Sequence, residues 1–325
     1  MSVSLESIRA AAQRIAPFVT RTASLRSKVL DDLVCGGAAV WAKSEHLQVS
    51  GSFKARGAFN AVYALDNAAA RLGVAAHSTG NHGAAVAAAA QSRGVPCTIA
   101  LPTNTPAAKR AKIERYGATV VECGPSPAAR ALAAADAAKR MGGAAVLHPF
   151  DDPVVISGQG TIGLELCEDQ GDLDFILVPV SGGGLLAGIA AAAFAVSPRT
   201  HVVAVEPRGK RLAQALGEGR RCVWTDAELL AAPTLETVAD AMPTKLLGEH
   251  HAWPIVARHV RDVVTVDDAE ISRALAFMRT ELRQVVEPAG AVCLAALLSG
   301  KFAAQVRGAS RPRPRIAIIV CGGNF

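Results

Sequence analysis

Short apolar runs rich in valine and isoleucine alternate with segments of helical periodicity along most of the chain, and no other feature limits the fold as much. Strands that are apolar on both faces need cover on both faces, and crossover helices supply it. The pattern therefore specifies an α/β architecture of mostly parallel sheets covered by helices. The strand candidates are Val40–Lys43, Val74–His77, Cys97–Leu101, Ala118–Glu122, Ala145–Leu147, Phe175–Val180, Val202–Val205, Asp262–Val266 and Ile316–Val320. Between them apolar positions fall at helical spacing, as at Ile271, Leu275, Met278 and Leu282, with Asp267 and Asp268 in front as N-terminal caps.

No Gly/Ser/Pro-rich linker and no repeat of fixed period divides the 325 residues, so a second domain must be entered and left through short crossings. Residues 48–143 carry their own β-α units and are expected to form a small domain inserted in a large one made of 1–47 plus 144–325. A chain 50% hydrophobic and 19% charged is not disordered. Aromatic residues are only 4%, too few to stack bases, so the net charge of +6 points to anionic small molecules and not to nucleic acid. The basic run Arg307–Arg315 is broken by Pro312 and Pro314 and reads as a solvated loop. Seven cysteines without CxxC or zinc spacing read as reduced thiols. The first residues carry Glu6 and Arg9 and no apolar core, unlike a secretory signal. The longest apolar stretch, Leu185–Val196, is shorter than the ~20 residues a bilayer requires. A cytoplasmic protein with no membrane partner is expected.

Four glycine-bearing loops stand where strands hand over to helices, the places where α/β sheets offer backbone N–H groups to ligands. Ser181–Gly188 follows an apolar strand with three consecutive glycines, which suits a phosphate cradle or a tight turn; it matches neither GxGxxG nor GxxxxGK[ST]. In Val49–Ala58, Lys54 precedes a helical run with Phe59, Val62 and Leu65 as its buried stripe. A lysine there either snorkels to solvent or, if desolvated, becomes an amine able to form an imine. Ser78–Gly83 places hydroxyls, an amide and free N–H groups at a helix start, fit for a carboxylate or for ordinary capping. Cys321–Asn324 follows the strand Ile316–Val320, where a thiol is usually inert packing.

Taken jointly, GSFKARGA, STGNHG, SGQGT, SGGGLLAG, VEP, TVADA, VEPAG and CGGN occur in the order found in fold-type-II pyridoxal-phosphate enzymes, and the chain resembles the branch of serine/threonine dehydratases and serine racemases. The resemblance implies a tryptophan-synthase-β-like fold of two lobes, pyridoxal 5'-phosphate as cofactor, a small-molecule amino-acid substrate and a homodimer. It implies that Lys54 is the Schiff-base residue and the base that takes the α-proton, that Phe53 packs on the cofactor ring, and that Gly182, Gly183, Gly184 and Leu185 hold its phosphate. Asn81 would bond the phenolic oxygen, Glu287 of VEPAG would border the cofactor, and Cys321 would stand at the pyridine nitrogen. Ser78, Thr79 and His82 would surround the substrate carboxylate. The activity implied is an ammonia-lyase: a dehydratase taking serine, threonine or 3-hydroxyaspartate to a 2-oxo acid and ammonia. Amino-acid racemisation is the alternative, and a non-catalytic cofactor-binding protein a minor one.

Several positions depart from the family pattern. Thr79 stands where racemases carry a reprotonating serine, and its extra methyl restricts rotation and disfavours racemisation. Some members bind a divalent cation with the VEP glutamate, here Glu206, and an acid six residues on; that position is Leu212 and the carbonyl position between is Lys210, so no metal site is expected and a lysine ammonium stands in for the cation. Arg130 would pair with a second substrate carboxylate if it reaches the pocket, favouring 3-hydroxyaspartate. Phe150 makes the pocket less polar, and Ala241 tightens a turn where glycine is usual.

Overall fold

The computed structural model describes residues 2–34, 37–78 and 80–324. Each strand expected from an apolar run forms, with its ends within two residues of the expected ones: β2 (Ala39–Lys43), β3 (Val74–His77), β4 (Cys97–Pro102), β5 (Thr119–Cys123), β6 (Ala145–Val146), β7 (Phe175–Pro179), β8 (His201–Pro207), β9 (Asp262–Val266) and β10 (Arg315–Ile319). One strand was not foreseen. β1 (Ser24–Arg26) has no apolar run to announce it and pairs antiparallel at the edge of β2. All other pairings are parallel, in a six-stranded sheet of order β1-β2-β10-β7-β8-β9 and a four-stranded sheet of order β5-β4-β3-β6. The four-stranded sheet takes its strands from the middle of the chain, ending with β6 just beyond residue 143.

Helices start and stop for local reasons. Asp267 alone is the cap of helix Asp268–Thr280, accepting from the Glu270 N–H while Glu270 returns the bond; Asp268 is already helical, and the helix ends before Leu282. Helix Pro153–Gln170 begins with Asp152 accepting from the N–H groups of Val154 and Val155, and with proline at its first position. This helix is the centre of the packing. A Cβ on Gly158 would sit 2.6 Å from the Arg56 carbonyl, and one on Gly188 would sit 2.5 Å from the Ile156 carbonyl. Helices Lys54–Ala64 and Gly184–Val196 therefore both cross it backbone against backbone.

The basic run is less free than the sequence suggests. Arg311 lies 3.6 Å from Asp172 and 3.5 Å from Asp174, Arg313 bonds Asp31 at 2.9 Å, and Arg315 belongs to β10, so the prolines hold a loop in which Arg311 and Arg313 are paired with carboxylates. Among the described residues no helix follows the fourth glycine loop. Among the described residues no helix is long and apolar enough to cross a membrane, and all six described cysteines are free.

Candidate active site

The second and fourth glycine loops, 270 residues apart in sequence, are one structure. The Phe53 N–H donates to the Cys321 carbonyl at 3.1 Å, Gly323 N–H to the Gly51 carbonyl at 2.9 Å, and Ser52 bridges to Gly322. Gly51 adopts φ +79, and its missing side chain makes room for the Asn324 amide. These contacts bring Lys54, at the start of helix Lys54–Ala64, beside the buried Cys321 thiol. Burial lowers the Lys54 amine from its ordinary value to about 8, with Cys321 opposing. Its Nζ donates to the Pro149 carbonyl at 2.5 Å and lies 5.1 Å from the centre of the Phe53 ring. Cys321 donates from Sγ to the Ala289 carbonyl at 3.3 Å, and burial, with Glu287 adding to it, keeps the thiol protonated.

What holds Lys54's helix in place was not read from the sequence. Arg56 is fully buried, its guanidinium shared between Glu45 at 2.8 Å and Glu165 at 2.6 Å, while Lys43 bonds Glu165 at 2.6 Å. Two cations and two anions thus cancel beneath the amine. Burial alone would raise the Glu45 carboxyl, but Arg56 outweighs it and holds the group below its ordinary range. Charges set among apolar and small residues, as in KARGA and GLELC, were the available signal.

Asn81 opens helix Asn81–Arg93 and donates from Nδ2 to Glu287 at 2.7 Å, while its Oδ1 accepts from Asn324 Nδ2 at 2.5 Å. Lys112 reaches the same Asn324 from helix Ala107–Arg115. Glu287 is 4% exposed, and burial pushes its carboxyl up to about 7, against the Asn81 hydrogen bond.

The Ser181–Leu185 loop ends in Gly183, which adopts φ +94 and starts helix Gly184–Val196 without any side-chain cap. The N–H groups of the first turn therefore have no partner of their own. The Phe150 ring lies on Gly182 and the Phe150 carbonyl lies close to Gly184, so the LHPF segment runs from Lys54 to this loop. A planar aldehyde carrying a phosphate fits such a site: an amine near neutrality at one end, uncapped N–H groups at the other, and a neutral thiol between backbone walls.

Thr79 lies outside the described residues. Its neighbour Ser78 accepts from the Gly80 N–H at 3.2 Å. His82 is 3% exposed and bonds the Leu147 carbonyl through Nε2 at 3.1 Å, so Nε2 carries the hydrogen and the buried Nδ1 lone pair has no partner among the described residues. Burial, reinforced by Lys54, drives its pKa down to about 3, so His82 is a neutral hydrogen-bonding group. Arg130 sits in the first turn of helix Pro127–Arg140 with its Nε buried and, among the described residues, unpaired. Burial, then Arg130 and His148, lower His77 to about 4. Arg130 thus lies within electrostatic reach of His77, the neighbour of Ser78, as does His148; both imidazoles are kept neutral, so the arginine is the cation of this corner and the only one of the three singled out from the sequence.

At the VEP motif, Glu206 accepts from the Leu212 N–H at 2.7 Å and the Thr265 hydroxyl at 2.8 Å. The Lys210 amine lies on the carbonyls of Thr244 at 2.8 Å and Lys245 at 3.1 Å, lowered by burial to about 7 with Glu206 opposing. Among the described residues no cluster of three His, Cys, Asp or Glu is arranged to hold a metal.

A fold of two mostly parallel sheets around a desolvated lysine and a glycine-started helix defines a class, and the sequence profile of the family described as "Pyridoxal-phosphate dependent enzyme" matches residues 15–322. The chain belongs to that family and is a pyridoxal-phosphate-dependent enzyme of fold type II. It is 40% identical over 321 residues to serine racemase of Oryza sativa subsp. indica, covering 98% of this chain and 90% of the relative. It is 38% identical over 319 residues to β-hydroxyaspartate dehydratase of Paracoccus denitrificans, covering 98% and 95%. The structure of maize serine racemase superposes with a TM-score of 0.91 at 38% identity, covering 100% of this chain and 94% of the other.

Proposed function

We propose that the chain is an ammonia-lyase that converts a β-hydroxy amino acid to a 2-oxo acid and ammonia, with 3-hydroxyaspartate preferred over serine and threonine. The observation that carries the substrate is the corner formed by Arg130, His77 and His148, with the guanidinium Nε buried and, among the described residues, unpaired. A second carboxylate would meet that guanidinium in a bidentate pair, and of the three substrates only 3-hydroxyaspartate has one. The dehydratase named among the relatives supports the same choice.

Bound pyridoxal phosphate supplies the electron sink that acidifies the substrate's α-hydrogen. Lys54 would hold the cofactor aldehyde and, once released as a free amine, take the α-proton; an amine titrating near 8 is partly neutral at physiological pH. The N–H groups of Gly182, Gly183, Gly184 and Leu185 would bind the phosphate, Phe53 would pack on the ring, and Asn81, steadied by Glu287, would bond its oxygen. Cys321, a neutral thiol, would stand at the ring nitrogen without holding a proton there as a carboxylate does, so electron withdrawal would be moderate. That suits elimination. The α C–H and β C–O bonds break, a carbon–carbon double bond forms, and hydroxide leaves as water with a proton from the site. The enamine released then takes up water and loses ammonia. Ser78 and Thr79 would orient the α-carboxylate through their hydroxyls, while His82, whose one N–H is held by the Leu147 carbonyl, would border it without donating to it.

Racemisation is the second reading, favoured by the names of the rice and maize relatives. One panel separates them: 2-oxo acid release and chiral analysis of recovered substrate, over both serine enantiomers, the threonine diastereomers and the 3-hydroxyaspartate stereoisomers, with and without EDTA. A 3-hydroxyaspartate isomer should give the highest kcat/KM, unchanged in EDTA because Lys210 fills the cation's place. Arg130→Met should lower kcat/KM on that substrate at least tenfold and leave serine within about twofold. Racemised substrate without 2-oxo acid would overturn the lyase assignment, and equal losses on both substrates would overturn the role of Arg130. Cytoplasmic location and a homodimer belong to the same proposal, the latter checked by sedimentation.

A further inference from the structure

The segment His148–Asp151 reaches both ends of the site within four residues. Pro149 accepts from Lys54, Phe150 covers Gly182, and the His148 Nδ1 accepts from the Asp151 N–H at 2.8 Å, fixing the turn. Asp151 then points away from the cleft. Its Oδ2 accepts from the His250 N–H at 3.0 Å and its Oδ1 from those of His251 at 2.9 Å and Ala252 at 3.0 Å, so this one carboxylate caps helix Ala252–His259 from a hundred residues upstream. His251, the helix's own cap residue, makes no side-chain cap bond. The Asp151 side chain lies in the space a side chain at Gly248 would take. Gly248 in turn donates its N–H to the Gly182 carbonyl at 3.0 Å, and a Cβ on Gly183 would come within 2.8 Å of Leu247 and 3.2 Å of Ala252. The 247–252 segment is thus the floor under Gly182 and Gly183, and Asp151 is what ties it down.

We propose that Asp151 is a positioning residue for the Ser181–Leu185 loop, acting through residues 247–252 to keep its N–H groups converged on an anion. The inference rests on the reading of that loop as the holder of the cofactor phosphate. Three charge-assisted bonds from one carboxylate fix the backbone of residues 250–252 at once, and without them Gly182 and Gly183 lose their support on one side.

The test uses the full chain as wild type, Asp151→Asn and Asp151→Ala. Amide hydrogen exchange at His250, His251 and Ala252 is measured without cofactor, and pyridoxal phosphate and pyridoxal are each titrated by the imine absorbance. Asp151→Ala should speed exchange at these amides at least tenfold and weaken pyridoxal phosphate at least tenfold, while pyridoxal, lacking the phosphate, binds within twofold of wild type. Asp151→Asn, which keeps one acceptor oxygen, should fall between, and it carries the test alone if Asp151→Ala does not fold. Unchanged exchange, unchanged phosphate affinity, or equal losses for both aldehydes would overturn the proposal. Failure of the underlying reading looks different: wild type itself would bind pyridoxal as tightly as pyridoxal phosphate, whatever the exchange rates.

Discussion

Replacing Arg56 by methionine removes a fully buried cation and keeps most of its volume, so the result isolates the charge cluster under Lys54. The guanidinium makes six hydrogen bonds, to Glu45, Glu165, Thr161 and the Thr20 carbonyl. Lys43 still neutralises Glu165 in the variant, leaving Glu45 with only the Thr22 hydroxyl. Stranding a buried charge in this way costs ~3–5 kcal/mol. The pH dependence is more diagnostic. In wild type Glu45 titrates below its ordinary value, so its contribution is present above the unfolded-state pKa and lost only as pH falls through the lower folded value. Without Arg56, burial, the largest influence on Glu45, is opposed only by the Thr22 hydroxyl and the Lys43 charge, so the folded pKa is expected to rise above the unfolded one and the variant to regain stability as pH falls. Urea unfolding of the apoprotein should show a deficit near ~4 kcal/mol at pH 8. If the Glu45 carboxyl is driven to near neutrality, the deficit should be about 2 kcal/mol smaller at pH 5.5. Arg56→Met combined with Glu45→Gln should recover much of the loss. A deficit below about 1 kcal/mol, the range of an exposed pair, or one equal at both pH values, would refute the argument.

Imine formation between apoprotein and pyridoxal phosphate needs the neutral Lys54 amine, so its rate should climb with pH about a midpoint near 8; a midpoint at the ordinary lysine value would mean the amine is not desolvated. Gly183→Ala puts a Cβ 2.8 Å from Leu247 on a residue at φ +94, and should cost about 1–3 kcal/mol in thermal unfolding and at least tenfold in cofactor affinity, read by titration. Glu287 has its folded pKa raised to about 7, so it favours folding at low pH and loses that contribution as pH rises from the unfolded value toward 7. Glu287→Gln should flatten that slope, worth up to about 3 kcal/mol between pH 4.5 and 7, in urea titrations.

Strands buried on both faces announce themselves as apolar runs, which is why β7 and β10 were legible to within a residue while the three-residue edge strand β1 was not. The glycine loops were legible as motifs, but their joining was not: the bond from Phe53 to Cys321 exists because β10 delivers the last loop beside the residues leading into Lys54's helix, a non-local outcome no periodicity records. His77, His148 and Asp151 escaped notice for the same reason. Each acts through a partner that is distant in the chain or is a backbone group, and a carboxylate that caps a helix a hundred residues later looks, in sequence, like any turn aspartate. Asp267, whose partner is three residues away, was readable at once.

The close crossings at Gly158 and Gly188 divide the chain into parts that can drift and parts that cannot. Because the helix bearing Lys54 and the helix starting at Gly184 both rest on one central helix with no side chain between, the span from amine to anion cradle works as a gauge block, altered by a single methyl group. Substrate choice can then be tuned in segments outside that stack, such as the first turn after Ser126, which carries Arg130. A lineage of such enzymes could exchange one amino acid for another by editing those few residues while its cofactor geometry stayed frozen.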